Sequence, residues 1–145
     1  MAETLGSLCD KLTIVKLKQY HTEDEGRLSS LQEQQVNLAN EIDEFIGKAI
    51  KGNIPVNRLT FKANKVFKQD GNEITDFKGT IGNVFAKLAE INCLLWHEQE
   101  KVFEFETVPV GEKDIVVKKL AIPNLERNKC IDEIDNTFKA FIENK

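Results

Sequence analysis

The chain has 145 residues, of which 41% are hydrophobic and 30% are charged. This length suits one domain, and the composition is typical of a globular protein and too apolar for a disordered one. Twenty Lys and Arg residues against 24 Asp and Glu residues leave a net charge of −4, so we do not expect broad binding of nucleic acid or membrane surfaces.

The longest stretch without a charge, Gly79–Ala86, is too short to span a membrane. The first ten residues lack the basic start and apolar run of a secretory signal. Three widely spaced cysteines, Cys9, Cys93 and Cys130, fit neither a disulfide framework nor a metal pair, and each falls on an apolar stripe. We therefore expect three buried free thiols in a protein of the reducing cytoplasm.

Apolar residues with three-and-four spacing predict two amphipathic helices in the first third of the chain. The stripe of the first helix is Leu5, Leu8, Leu12 and Val15, and that of the second is Leu31, Leu38, Ile42, Phe45 and Ala49. Thr4 lies where an N-cap is expected, and Gly26 and Gly52 are the predicted breaks.

Residues 51–72 are rich in turn formers and predict a linker that holds either a small hairpin or a short helix. The sequence predicts a third helix after Thr80. It predicts extended chain or one short strand over residues 103–110. Pro123 either opens a fourth helix or kinks a longer one that begins near Gly111, and the helical spacing before it favours the kink.

The chain repeats itself. Residues 4–21 and 80–97 share five identities at a constant offset of 76, and Glu41-Ile42-Asp43 matches Glu133-Ile134-Asp135 at an offset of 92. We therefore predict one all-α domain over residues 1–145, a pseudo-twofold four-helix bundle built from two duplicated helical hairpins. Unit one covers about 4–50, the linker about 51–76, and unit two about 77–143.

The two histidines of the chain occupy equivalent positions, and each has an acid three residues on. Residues three apart share a helix face, so His21 can meet Asp24, and His97 can meet Glu100. Asp43 and Asp135 flank the apolar stripes of the second helix in each unit. We expect both histidines to be partly buried and to converge with some of these four acids in one polar pocket.

Three interpretations of this pocket stay open. The histidines and acids hold the helices together, or they bind metal, or they recognise a small polar or phosphorylated ligand or act as acid and base. The metal alternative uses His21, Asp24, His97 and Glu100 with a divalent cation as the cofactor.

The run from Asp10 to His21 resembles one helix of a bacterial group, the domain of unknown function 4254 family. The segments 95–100 and 124–128, together with Ile134-Asp135, resemble the other half of that family, here in permuted order. The resemblance implies a bacterial source and a helical fold, and it adds Arg127 and Asn128 to the candidate pocket. The family is uncharacterised, with a loose association with surface-glycan genes.

The sequence has no Gly-rich phosphate loop and no nucleophile motif. It therefore favours a module that binds a small ligand or a protein partner over an enzyme. The number of apolar residues in so small a bundle, with Trp96 and the Phe-rich segment 103–105, also predicts a homodimer. The alternative is a metal-dependent hydrolase of a nucleotide or another phosphorylated small molecule. Glu41-x-x-Glu44 followed by Glu73-x-x-Asp76 resembles the magnesium-binding pattern of all-α nucleotide pyrophosphohydrolases.

Overall fold

A computed structural model describes residues 3–61, 80–103 and 109–144 of the chain. These residues form four α-helices and one 3₁₀ turn, and the described ranges contain no strand. The elements are α1 (Leu5–His21), α2 (Glu25–Ile50), the 3₁₀ turn (Val56–Arg58), α3 (Ile81–Phe103) and α4 (Val110–Glu143). The predicted all-α architecture with four helices is confirmed. The later part of the predicted linker, and residues 104–108 of the predicted extended segment, lie outside the described residues.

The first helix begins where the sequence predicts. The backbone N–H of Ser7 donates to Oγ1 of Thr4 at 3.2 Å, and the backbone N–H of Thr4 donates to Oγ of Ser7 at 2.8 Å. This reciprocal capping box satisfies two backbone donors that an uncapped helix would leave open. At the start of α3, Thr80 accepts from the backbone N–H of Asn83 at 3.4 Å.

The break between α1 and α2 falls at residues 22–24, so the prediction that Gly26 separates the helices is wrong. Oδ1 of Asp24 accepts from the backbone N–H of Arg27 at 3.1 Å, which makes Asp24 the N-cap of α2. Gly26 lies inside the first turn of that helix. The predicted end of α2 is confirmed, since Gly52 follows Ile50 closely and has a left-handed φ of 77°.

The fourth helix runs through Pro123 from a start at Val110, which confirms the interpretation of one long helix. The 3₁₀ turn lies in the predicted linker, and the residue that follows it, Leu59, is buried in the core. The first helix contacts each of the other three helices. No helix in the described ranges combines the length and the apolar character needed to cross a membrane.

The core is formed by apolar side chains of α1, α3 and α4, together with Ala49 of α2 and Leu59. Its least exposed apolar side chains are Ala49, Leu59, Leu88, Cys130 and Ile134. Burial raises the pKa of the Cys9 thiol to about 12 and that of Cys130 to about 11. Cys93 is exposed, so the prediction of a core thiol is wrong at that position, which lies on the outward face of α3.

Candidate functional site

A buried ion pair joins α1 to α4. Nε of Arg127 donates to Oδ1 of Asp10 at 2.8 Å, and Nη2 of Arg127 donates to Oδ2 at 2.5 Å. The side chain of Asp10 is only 6% exposed, whereas that of Arg127 is 31% exposed. The pair therefore uses the bidentate geometry that makes arginine–carboxylate contacts strong and fixes the plane of the guanidinium group.

Two further polar side chains extend this pair to α3. Nδ2 of Asn92 donates to Oδ1 of Asp10 at 3.0 Å and to Oγ1 of Thr13 at 2.6 Å. The hydroxyl of Thr13 donates to the backbone oxygen of Asp10 at 2.7 Å. Asp10, Thr13 and Asn92 are all buried, so the network ties three helices together within the core.

The network accounts for the raised pKa of Arg127. The hydrogen bonds to Asp10 raise the pKa of Arg127, burial acts in the opposite direction, and the charge of Asp10 reinforces the increase. Oδ1 of Asn92 is buried and has no hydrogen-bond partner among the described residues. Unsatisfied atoms of this kind are rare in native proteins and mark strained or functional positions.

A groove of about 520 Å³ lies beside the ion pair, between α1 and α2. Ile14, Val15 and Leu38 form its apolar lining. Its polar lining consists of Asp10, Lys11, Lys18, Gln34, Asn37, Glu41 and Arg127. Arg127 thus belongs both to the buried network and to the wall of the groove, and we call this feature the α1–α2 groove.

Both histidines are exposed, so the prediction that they are partly buried is wrong. The ring of His21 stacks on the indole of Trp96, with centroids 4.8 Å apart and planes 9° from parallel. His97 follows Trp96 on α3 but lies on the exposed surface. The contact that fixes His21 is therefore aromatic stacking at the surface.

The four predicted acids do not share one pocket. Asp24 caps α2, Glu100 accepts from Nε1 of Trp96 at 3.1 Å, and Asp43 is exposed on α2. Asp135 is buried, and its Oδ1 accepts from the backbone N–H of Gly6 at 2.7 Å.

Asp135 lies far from His21, because it contacts Gly6 at the beginning of α1 and His21 is the last residue of that helix. Gly6 and His21 are fifteen residues apart on this helix, which corresponds to about 22 Å. The residues described contain no group of three or more His, Cys, Asp or Glu side chains that could hold a metal ion.

The two residues added by the family resemblance have different surroundings. Arg127 is the cation of the buried network, whereas Nδ2 of Asn128 donates to the backbone oxygen of Asn124 within α4. Of the acids in the predicted magnesium pattern, Glu41 and Glu44 are exposed on α2, and Glu73 and Asp76 lie outside the described residues.

Asp10, Thr13 and Asn92 are the site residues that the sequence interpretation missed. A signal exists, because each polar residue interrupts a buried apolar stripe, as Asn92 does between Ile91 and Leu95. That signal does not identify partners, since Asp10 and Arg127 are 117 residues apart in sequence.

Asp135 is a second buried charge at the other end of α1. Burial raises its pKa to about 6, while hydrogen bonds from the backbone of Gly6 and the side chain of Thr4 act to lower it, and the charge of Asp132 raises it further. Because these donors belong to the first turn of α1, Asp135 acts as a cap supplied from α4. This role is structural.

The chain matches no protein-family model, no curated protein and no solved structure.

Proposed function

We propose that this protein is a non-enzymatic module that binds a small anionic ligand in the α1–α2 groove. The observation that carries the proposal is the position of Arg127, whose guanidinium is held by the buried carboxylate of Asp10 and also lines the groove. A cation fixed in this way needs little further ordering when a ligand arrives, which favours binding.

The size and lining of the groove support a small ligand. Its volume of about 520 Å³ falls within the range of small-molecule sites. Ile14, Val15 and Leu38 offer an apolar surface, and the side-chain amides of Gln34 and Asn37 are hydrogen-bonding groups in the same lining.

The charges around the groove balance, and two of its cations, Lys18 and Arg127, line it where they could contact an anion. Asp10 and Arg127 neutralise each other, and Lys11 is paired with Glu3. The remaining charges in the lining of the groove are one cation, Lys18, and one anion, Glu41. A carboxylate or phosphate could contact Lys18 and the edge of the Arg127 guanidinium at the same time. We therefore propose a small organic acid or phosphate ester as the ligand class.

A binding screen with a matched pair of lysine variants tests this proposal. Thermal unfolding of the full chain is followed with inorganic phosphate, dicarboxylates and sugar phosphates. A ligand at one hundred times its Kd should stabilise the protein by about 2.7 kcal/mol. Lys18→Gln should weaken binding at least fivefold, whereas Lys16→Gln should not, because Lys16 lies on α1 outside the groove and bonds to Gln35.

Two results would contradict the proposal. One is the absence of stabilisation by every anion at millimolar concentration. The other is stabilisation by Mg²⁺, Mn²⁺ or Zn²⁺ together with hydrolysis of a nucleotide or sugar phosphate, which would favour the metal-dependent hydrolase. Elemental analysis of the purified protein is a direct first measurement for that second outcome.

We also propose that the two hairpins, α1–α2 and α3–α4, arose by duplication. Thr4 and Thr80, one offset of 76 apart, both cap helices. In the first hairpin, Lys16 is hydrogen-bonded to Gln35. The repeat makes Asn92 the equivalent of Lys16 and Arg127 the equivalent of Gln35. In the second hairpin these two residues both bind Asp10. If the hairpins arose by duplication, homologous chains should include some whose two hairpins are more alike than those of this chain, and hairpins no more alike than chance in all of them would argue against it.

The pseudo-twofold arrangement, the likeness to the domain of unknown function 4254 family, the homodimer and the cytoplasmic location stay predictions. Light scattering at tens of micromolar tests the dimer, and a monomeric mass would contradict it. Fractionation of the source cells tests the location.

A further inference from the structure

A second pocket, of about 450 Å³, lies between α3 and the part of α4 around Pro123. Its apolar walls are Leu94, Ile115, Ile122 and Pro123. Leu94 and Ile115 are 50% and 52% exposed, although both are large aliphatic side chains on otherwise well-packed helices. The pocket therefore presents an accessible apolar surface of the size that small molecules occupy.

Pro123 gives a physical reason for a pocket at this place. Proline has no backbone N–H, so it cannot donate the hydrogen bond that the backbone oxygen of Lys119 would accept in a regular helix. The proline ring also clashes with that oxygen, which bends helices away from a straight path. Pro123 therefore removes one regular backbone hydrogen bond of α4 beside the apolar walls.

The polar groups of this pocket are mainly acceptors. Glu98 is only 7% exposed although it carries a carboxylate, and Glu126 is half-buried on the facing helix. Lys119 is the cation in the lining, and it is exposed, so its long side chain can keep the ammonium group in water. A carboxylate set in an apolar wall attracts a cation more strongly than the same group in water does.

These features point to a ligand with an apolar body and one positive charge. We propose that the Pro123 pocket binds a small organic cation, an alkylammonium or arylammonium compound, with its chain between Leu94 and Ile122 and its ammonium group at Glu98 and Glu126. An anionic amphiphile would meet two carboxylates there, and a neutral one would gain no charge interaction with them. The site is separate from the α1–α2 groove and does not depend on the proposed function.

Three ligands of equal chain length test the charge requirement. Hexylammonium, hexanol and hexanoate are titrated into the isotope-labelled full chain, and chemical shifts are followed at the methyl groups of Leu94, Ile115 and Ile122. We expect saturable shifts with hexylammonium, affinity at least tenfold weaker for hexanol, and no saturable shift with hexanoate. Equal affinity for hexanol, binding of hexanoate, or no saturable shift with hexylammonium would overturn the proposal.

Three glutamate variants locate the charge. Glu98→Gln and Glu126→Gln should each weaken hexylammonium binding at least fivefold without changing the affinity for hexanol. Glu90→Gln is the control, because Glu90 lies earlier on α3, is exposed and does not line the pocket. Should Glu98→Gln fail to fold, Glu126→Gln keeps the test, since Glu126 is more exposed. Unchanged hexylammonium affinity in Glu126→Gln, or an equal loss in Glu90→Gln, would overturn the assignment.

Discussion

The backbone N–H of Gly6 donates a 2.7 Å hydrogen bond to Oδ1 of Asp135, a residue 129 positions away in the chain. This contact brings the first turn of α1 directly onto α4. A Cβ atom placed on Gly6 would lie 2.5 Å from the backbone oxygen of Ile131 and 2.9 Å from Oδ1 of Asp135. The absence of a side chain at position 6 is therefore a condition for the close approach of these two helices.

Gly6→Ala should destabilise the protein by about 1–3 kcal/mol, because the backbone of α4 must move to admit the methyl group. Gly82→Ala is the matched control, since Gly82 occupies the equivalent position of α3 and nothing lies within 4 Å of a Cβ there. This second variant should be neutral or stabilising by about 0.5 kcal/mol. Urea unfolding measures both, and equal effects would contradict the packing argument.

The stability of the protein should fall between about pH 4 and pH 6 through Asp135. Its folded pKa of about 6 lies above the usual value, so the folded state binds the proton more tightly than the unfolded state. The stabilisation that the proton on Asp135 contributes is thus complete below the unfolded pKa. It falls by up to about 3 kcal/mol as the pH rises through the folded pKa of about 6.

Asp135→Asn should remove this loss. The amide keeps an oxygen that can accept from Gly6 and carries no charge, so the variant should match the parent near pH 4 and exceed its stability at pH 7. Asp43→Asn, the exposed equivalent on α2, serves as the control and should behave like the parent at both pH values. If the unfolding free energies of the parent and of Asp135→Asn change with pH in parallel, Asp135 is not the source of the loss.

Arg127→Met should cost about 3 kcal/mol of stability, because it leaves the carboxylate of Asp10 buried without its cation. Adding Asp10→Asn to this variant should recover at least about 1 kcal/mol, since the unpaired charge is then removed. The comparison is Lys139→Met, which breaks a 3.8 Å surface pair with Glu143 and should change stability by less than about 0.5 kcal/mol. A double variant less stable than Arg127→Met would contradict this account.

The stack between His21 and Trp96 should be visible in fluorescence, because Trp96 is the only tryptophan of the chain. His21→Ala removes the ring that covers one face of the indole and should shift the emission to longer wavelength. His97→Ala changes an exposed neighbour and should leave the emission maximum in place. Equal shifts in the two variants would show that the stack does not form in solution.

One thiol of three should react rapidly with a disulfide reagent under native conditions. Cys93 is exposed, whereas burial holds the pKa of Cys9 and Cys130 at about 12 and about 11, which keeps them as buried thiols. Mass spectrometry after brief labelling should find the modification at Cys93, and the other two should react only after denaturation. Early labelling of Cys130 would contradict the packing of α4.

Local chemistry was sufficient to predict the helices themselves. Thr4 and Thr80 cap because a hydroxyl at the position before a helix reaches the third backbone N–H, and the stripe of α1 follows from helical spacing alone. A glycine pattern alone predicts the break at Gly26, whereas the chain breaks at residues 22–24 because the carboxylate of Asp24 caps the next helix.

The tertiary structure decided which polar residues meet. Gly6 and Gly82 share one repeat position, as do Asp43 and Asp135, yet only Gly6 and Asp135 face each other across a buried contact. The same holds for Asp10, whose partners come from α3 and α4. A helical pattern states which face of each helix is apolar, but it leaves the rotation, shift and pairing of helices open. Those are set by how side-chain volumes from distant segments fill one core, and this packing selects the polar groups that are buried together.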